Sequence, residues 1–388
     1  MTRGEQEAGA PQASLRELAL LFLRLGCTTF GGPAGHIAMM EDEVVRRRKW
    51  LSREKFVDLI GAVNLIPGPN STELALHVGL RRAGWAGFFV AGGCFIFPSA
   101  ILVAAMAWAY VRFGTLPQAV GVLYGTKPVI IALVVQALWN LGRAAVKTNF
   151  LAVTGIVAIV AGALGINPLL LLFLCGVVSA TVVALRRRLG AAMLGSFLAA
   201  KGLAPAAAGA AAVSLGKLFL YFFKVGALLF GSGYLLLAFV HDDLVARWHW
   251  LTESQLLDAI AVSQVTPGPL STAATFIGYM LAGPSGAVVA TLGIFLPGFL
   301  LVGASGRLVP RVRESQIAGA FLDGVNVAAL ALMAVVGWQL GRAALVDWTT
   351  IVLAAASAVL LLRFRVNSVW LVLGGALVGF VALTLAAR

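Results

Sequence analysis

Two short stretches hold the residues whose types and spacing suit chemistry. Pro67-Gly68-Pro69 is followed by Asn70, Ser71 and Thr72, and Pro267-Gly268-Pro269 by Leu270, Ser271 and Thr272. Proline inside a helix removes a hydrogen bond and clashes with the preceding turn. Two prolines flanking a glycine should therefore end one helix and start another. The residues after each break would then open a helix, where free backbone N–H groups point outward and the helix dipole adds positive potential. Hydroxyls at that end can cap the helix or donate to a ligand, and such a terminus suits an anion. Asn64 and Gln264, three residues before each break, offer amides to the same site or to helix–helix hydrogen bonds. A second pair of breaks is Phe30-Gly31-Gly32-Pro33 and Phe230-Gly231-Ser232-Gly233. These glycines either open another helix end toward the site or let helices pack closely.

The elements that must position these residues are apolar. Of 388 residues 60% are hydrophobic and 12% charged, and mean hydropathy is +0.94. A soluble domain carries about twice that charge, so a soluble enzyme, a disordered chain and a disulfide scaffold are excluded. A span needs about 20 apolar residues, which leaves room for about ten. The fold class expected is an all-α polytopic membrane protein. The net charge of +13 sits mostly in short loops, as in membrane proteins, so no nucleic acid is expected. Cys27, Cys94 and Cys175 lie inside apolar runs without metal-like spacing. No metal or cofactor is expected.

Charges inside apolar runs are costly and are functional candidates. Arg24 and Lys224 hold the same place in two such runs and lack obvious acidic partners there, so they invite a dianion; snorkelling or pairing with a carboxylate is the alternative. Lys127, aligned with Asn326, is a third candidate. Asp58, Asp258, Glu73 and Asp323 are the acids nearest membrane depth. Each could carry a coupled proton or pair with Arg24 or Lys127. His36 and His77 align with Leu236 and Phe276 and read as satisfied or interfacial residues.

The sequence repeats at a shift of 200. Phe22/Phe222, Gly26/Gly226, Trp50/Trp250 and both Pro-Gly-Pro stretches coincide. After a one-residue slip the match resumes at Gly79/Gly278 and runs to Gly142-Arg143-Ala144-Ala145 against Gly341-Arg342-Ala343-Ala344. The expected organisation is an N-terminal tail over 1–13, a first repeat over 14–188, a linker over 189–213 and a second repeat over 214–388. The pieces about 53–66 and 70–82 are each too short to cross a ~30 Å core. If each broken segment is a re-entrant hairpin, twenty basic residues fall on one side of the membrane and six on the other. If it crosses, the same residues split thirteen to thirteen. The positive-inside rule favours the hairpin. The halves then have opposite orientation: ten spans, two hairpins and an inverted-topology repeat, with a site expected near the midplane. Residues 41–58 and 241–258 support this, because the first loop is strongly basic and the second carries Arg247 alone.

The stretch from Phe30 to His36, Trp50-Leu51 and Pro67-Gly68-Pro69 resemble the chromate ion transporter family, and the duplicated layout resembles its long-chain members. The resemblance covers nearly all of the chain outside the first dozen residues and the linker. The second half departs from the pattern at Gly231-Ser232-Gly233 and lacks the histidine, so the halves are expected to contribute unequally. The resemblance implies transport of chromate, usually efflux giving resistance, with sulfate as the related oxyanion. Composition and spacing by themselves reach an inverted-repeat transporter for an anion. The expected location is a bacterial-type inner membrane, and a homodimer is a further expectation. An anion channel or a transporter of sulfate or another oxyanion is the alternative within this fold. No Walker A sequence is present, so an ion gradient is the expected energy source. An intramembrane enzyme is disfavoured, since no catalytic constellation is visible.

Overall fold

The computed structural model describes residues 14–30, 32–114, 116–186, 214–229, 233, 235–364 and 366–386. The expected tail (1–13) and linker (189–213), with Gly31 and Gly231, lie outside the described residues. The chain is nearly all helical. The first repeat forms α1 (Leu15–Thr28), α2 (Gly32–Glu41), α3 (Arg53–Val63), α4 (Asn70–Phe113), α5 (Pro117–Ala145), α6 (Asn149–Ala163) and α7 (Pro168–Arg186). The second forms α8 (Leu215–Gly226), α9 (Leu235–Val240), α10 (Glu253–Val265), α11 (Ala273–Glu314), α12 (Gln316–Ala344), α13 (Trp348–Arg363) and α14 (Ser368–Ala386).

Local chemistry sets the starts of these helices. Ser14 caps α1 by accepting from Glu17 N–H at 3.1 Å, and Ser52 caps α3 through Lys55 N–H at 3.3 Å. Thr252 and Gln255 exchange the two bonds of a capping box at the start of α10 (2.9 and 3.2 Å), as the spacing suggests. In α1 the buried positions are Leu18, Leu21, Phe22 and Leu25, and in α8 they are Leu218, Tyr221, Phe222 and Val225. This i, i+3, i+4, i+7 pattern is one helical stripe, repeated at the shift of 200. A Cβ added to Gly26 would stand 2.7 Å from the Phe95 carbonyl oxygen of α4, so only glycine allows α1 its close approach.

The apolar runs about 15–40 and 215–240, each counted among the ten expected spans, are interrupted near the glycine-rich breaks. With 14 and 12 residues, α1 and α8 reach about 21 and 18 Å, short of a hydrocarbon core. Among the described residues, five helical stretches are long and apolar enough to cross: Asn70–Phe113, Gln118–Ala145, Pro168–Leu185, Leu270–Ser305 and Gln316–Ala344. Asn149–Ala163, Trp348–Arg363 and Ser368–Ala382 are apolar but shorter. On α4, Phe89, Phe97, Ile101 and Trp108 are exposed, an outer face that suits hydrocarbon better than water.

Helix α4 is not straight. Ala83 and Gly84 leave helical geometry, with Gly84 at φ 59° and ψ −150°, a region nearly confined to glycine. Residues 70–82 fold back along 85–113, which brings Gly79 against Gly87 and Ala91. Ala282 and Gly283 (φ 63°, ψ −153°) do the same in α11, where Gly278 meets Gly286 and Ala290. The one-residue slip between the repeats has a physical origin here. The second break is followed by a 3-10 turn, Leu270–Thr272, which rises ~2.0 Å per residue against 1.5 Å in an α-helix. Three residues therefore climb as far as four do in α4.

The chain folds into two compact units that do not coincide with the repeats. The first takes α1–α4, α8 and Val262–Ser305; the second takes α5–α7, α9, residues 234–261 and α12–α14. Within the second unit the repeats exchange partners: α5 packs on α13 and α14, and α12 packs on α6 and α7. Small residues permit it. A Cβ on Gly125 of α5 would come within 2.8 Å of Gly379 Cα on α14, and one on Gly324 of α12 would strike the Cys175 carbonyl of α7.

Candidate functional site

The first unit brings the two Pro-Gly-Pro tips together with segments from both repeats. Gly68 donates its N–H to the Leu229 carbonyl at 2.8 Å, and Gly268 donates to the Thr29 carbonyl at 3.0 Å. Thr29 and Leu229 follow the first helix of each repeat and are 200 residues apart, as are the two glycines. Each tip is therefore bound by the other repeat.

The side chains repeat this exchange with unequal chemistry. Gly268, at φ 101°, packs against Ser99, the residue after Pro98 of α4. Thr272 Oγ1 lies 3.2 Å from Ser99 Oγ and donates to the Pro269 carbonyl at 2.8 Å. Gly68 packs against Gly298, the residue after Pro297 of α11, and the Glu73 carboxyl fills the space beside them. At the head of α4, Asn70 Nδ2 donates to Asn64 Oδ1 at 2.9 Å.

His36 links the two tips. Its Nε2 lies 3.3 Å from the Thr29 carbonyl, and its Nδ1 lies 3.0 Å from Ser71 Oγ. A carbonyl only accepts, so in the neutral ring Nε2–H donates to Thr29 and Nδ1 accepts from the Ser71 hydroxyl. Because the Thr29 carbonyl also receives Gly268 N–H, one chain of hydrogen bonds runs from the second tip through His36 to the first. Both ring nitrogens of His36 are bonded, as its sequence reading as a satisfied residue expects; that it bridges the two tips is what that reading missed. Its place in the glycine-rich stretch that carries the family resemblance was the available signal.

Asn70, Ser71, Thr72, Gln264, Ser271 and Thr272 are all buried here. Among the described residues Thr29 Oγ1, Thr72 Oγ1 and both Glu73 oxygens have no hydrogen-bond partner. Such buried polar atoms normally find one, so the region offers unused hydrogen-bonding capacity beside two helix starts.

The other residues singled out from the sequence have partners of their own. Arg24 is 61% exposed and has an acidic partner that the sequence did not disclose, Glu43 at 3.6 Å. A π-helical turn, Asp42–Arg47, presents Glu43 to Arg24 and also to Arg47 and Arg48 (3.1 and 3.5 Å). Lys224 Nζ lies 5.1 Å from the Tyr221 ring centre, a cation–π contact. Asp58 is exposed on α3. Lys127, Asp258 and Asp323 belong to the second unit. There Lys127 Nζ lies 3.4 Å from Asp258 Oδ1 and donates to Ser254 Oγ at 2.7 Å, while Lys147 pairs with Asp323 at 2.7 Å.

The Lys127–Asp258 pair makes a stability prediction. Asp258 is 2% exposed, and removing one partner of a buried pair costs about 3–5 kcal/mol. Lys127→Met should lower the thermal unfolding midpoint in detergent, and adding Asp258→Asn should restore most of the loss. Transport by that double variant should persist. Its loss in well-folded protein would return Lys127 to the transport path.

Comparison with known proteins decides the family. The chromate transporter family model matches residues 16–180 and again 216–380. The chain belongs to the chromate transporter family. It is 32% identical over 380 residues to the chromate transport protein of Cupriavidus metallidurans, covering 96% of this chain and 94% of that one. It is 34% identical over 348 residues to the chromate transport protein of Pseudomonas aeruginosa (86% and 82% covered). To the probable chromate transport protein of Synechococcus elongatus it is 31% identical over 353 residues (88% of each). No solved structure matches the chain. Members of the chromate transporter family are membrane transporters and not enzymes. With its apolar helices, the chain is an integral, multi-pass membrane protein.

Proposed function

We propose that the chain is a secondary transporter that carries chromate across a bacterial inner membrane by alternating access. The oxyanion is held where the two Pro-Gly-Pro tips meet, near the bilayer midplane. The reciprocal docking of Gly68 on Leu229 and Gly268 on Thr29 carries this reading, because it sets two helix starts and their buried hydroxyls in one region. Helix N-termini favour anions, and irregular backbone at membrane depth is tolerated where protein buries it or where it lines a water-filled cavity. Asn70, Thr72 and Ser271 supply donors, Ser71 and Thr272 join them by giving up their bonds to His36 and the Pro269 carbonyl, and Asn64 and Gln264 brace the tips. The repeats lie in opposite orientation, and transport runs outward, giving chromate resistance. The names of the relatives support the substrate.

Chromate accumulation in everted membrane vesicles tests this reading. Energised vesicles containing the protein should accumulate chromate above protein-free vesicles, and excess sulfate should compete. No protein-dependent accumulation in either direction would remove chromate as the substrate. Single cysteines at Arg47 and Arg247 should label from opposite sides of the membrane; labelling from one side would overturn the opposed orientation.

A further inference from the structure

Glu73 stands in the first turn of α4, where the proposed oxyanion approaches. It is fully buried and, among the described residues, neither carboxyl oxygen has a hydrogen-bond partner. The carboxyl abuts Gly68 of the tip, and a Cβ on Gly298 would stand 3.6 Å from its Oε1. Counting back from Gly79 and Gly278, its counterpart is Thr272, which meets Ser99. One tip thus holds a neutral threonine–serine pair, and the other a carboxyl against a glycine. A buried carboxylate without a partner is costly, so a proton or a cation must answer its charge. No cluster of metal-binding side chains occurs among the described residues. The titratable groups near it are His36, bonded to Ser71, and His77 one turn along α4, with Arg81 and Arg82 at the far end of that half-helix. From α11 it is faced by Gly298, and from the tip by Gly68 and Pro69, none of which titrates.

Resting on the oxyanion reading of the site, we propose that Glu73 takes up the proton that travels with the oxyanion. A dianion and a carboxylate repel strongly in a low-dielectric site, so the dianion binds when the Glu73 carboxyl is neutral. Each binding event on a deprotonated site adds one proton to the carboxylate and one dianion to the tips. The two ligands are linked positively. They cross together as a net single negative charge, so the inside-negative membrane potential drives export and the proton is carried outward with the anion, which is co-transport and not exchange.

The test uses the full-length purified protein in proteoliposomes and compares wild type, Glu73→Gln and Glu73→Thr with Gly298→Ser. The double variant copies the Thr272–Ser99 pair that the second tip already accommodates, so it guards against a Glu73→Gln protein that fails to fold. Chromate binding and chromate/chromate exchange are measured across pH, with proton uptake followed by a pH indicator. Chromate's own protonation is common to all three proteins and cancels in the comparison. At pH above the Glu73 titration wild type should take up about one more proton per bound chromate than either variant, and below it no more than they do. Above the titration of Glu73, its half-saturating chromate concentration should rise about tenfold per pH unit relative to theirs. Both variants should still bind and exchange chromate. Equal proton uptake and equal pH profiles would overturn the proposal, as would loss of binding in both variants when they are well folded. If wild type itself binds no chromate, the oxyanion reading fails instead.

Discussion

Gly268→Ala should abolish chromate transport and destabilise the protein by about 2–6 kcal/mol. Two effects add. Gly268 sits at φ 101°, where a side chain costs about 1–3 kcal/mol. Its Cβ would also stand 2.6 Å from Ser99 Cβ and 2.8 Å from Ser99 Oγ, and overpacking a tight contact costs about 1–3 kcal/mol more. Relieving that clash pushes the tip away and stretches the bond from Gly268 N–H to Thr29. The other tip supplies the control, because Gly298 stands where Ser99 does. Adding Ser99→Gly should recover the packing part of the loss and leave the backbone strain. Gly68→Ala should be milder, since its Cβ meets the end of the Glu73 side chain, which can swing aside. Thermal unfolding in detergent measures all of these variants, and vesicle transport measures activity. Equal effects at Gly68 and Gly268, or no recovery with Ser99→Gly, would contradict the packing described here.

His36→Leu should destabilise the protein by about 1–3 kcal/mol and weaken chromate binding while the protein still folds. Leucine is the residue at the equivalent position 236, so its shape is tolerable at that place in the repeat. What is lost is the ring between Ser71 and the Thr29 carbonyl. Thr29 keeps its bond from Gly268, but the buried Ser71 hydroxyl loses its partner, at a cost of about 1–3 kcal/mol. His36 acts through Ser71 and is therefore a positioning residue. Its loss should raise the half-saturating chromate concentration more than it lowers the maximal rate. His36→Gln, which can still reach a neighbour, should recover part of the affinity. An unchanged half-saturating concentration in His36→Leu would separate His36 from the site.

Much of this organisation was legible in the sequence, because its signals are carried by side-chain identity. The duplication, both Pro-Gly-Pro breaks, the glycine-rich second breaks and the capping box at Thr252 depend on residue types at fixed spacing. The reciprocal docking of the tips was not legible. It runs through backbone N–H and carbonyl groups, and any residue at positions 29 and 229 could supply the carbonyls. The partner of Arg24 was hidden for a related reason. Glu43 is 19 positions away in the sequence, and a π-helical turn with no periodic signature presents it. Glu73 looked like one of four comparable acids until the fold placed Asp258 with Lys127, Asp323 with Lys147, and Glu73 alone of the four at a tip. The mixing of the repeats in both compact units also escaped the sequence, since similarity shows that the halves correspond but not which helices exchange partners.

Equilibrium binding of radiolabelled chromate to the purified protein tests most directly whether the two tips form one oxyanion site. Wild type should bind one chromate per chain, and Ser71→Ala and Ser271→Ala should each weaken that same site without changing the stoichiometry. Two chromates per chain, or a Ser271→Ala protein that binds chromate as tightly as wild type, would contradict a shared site.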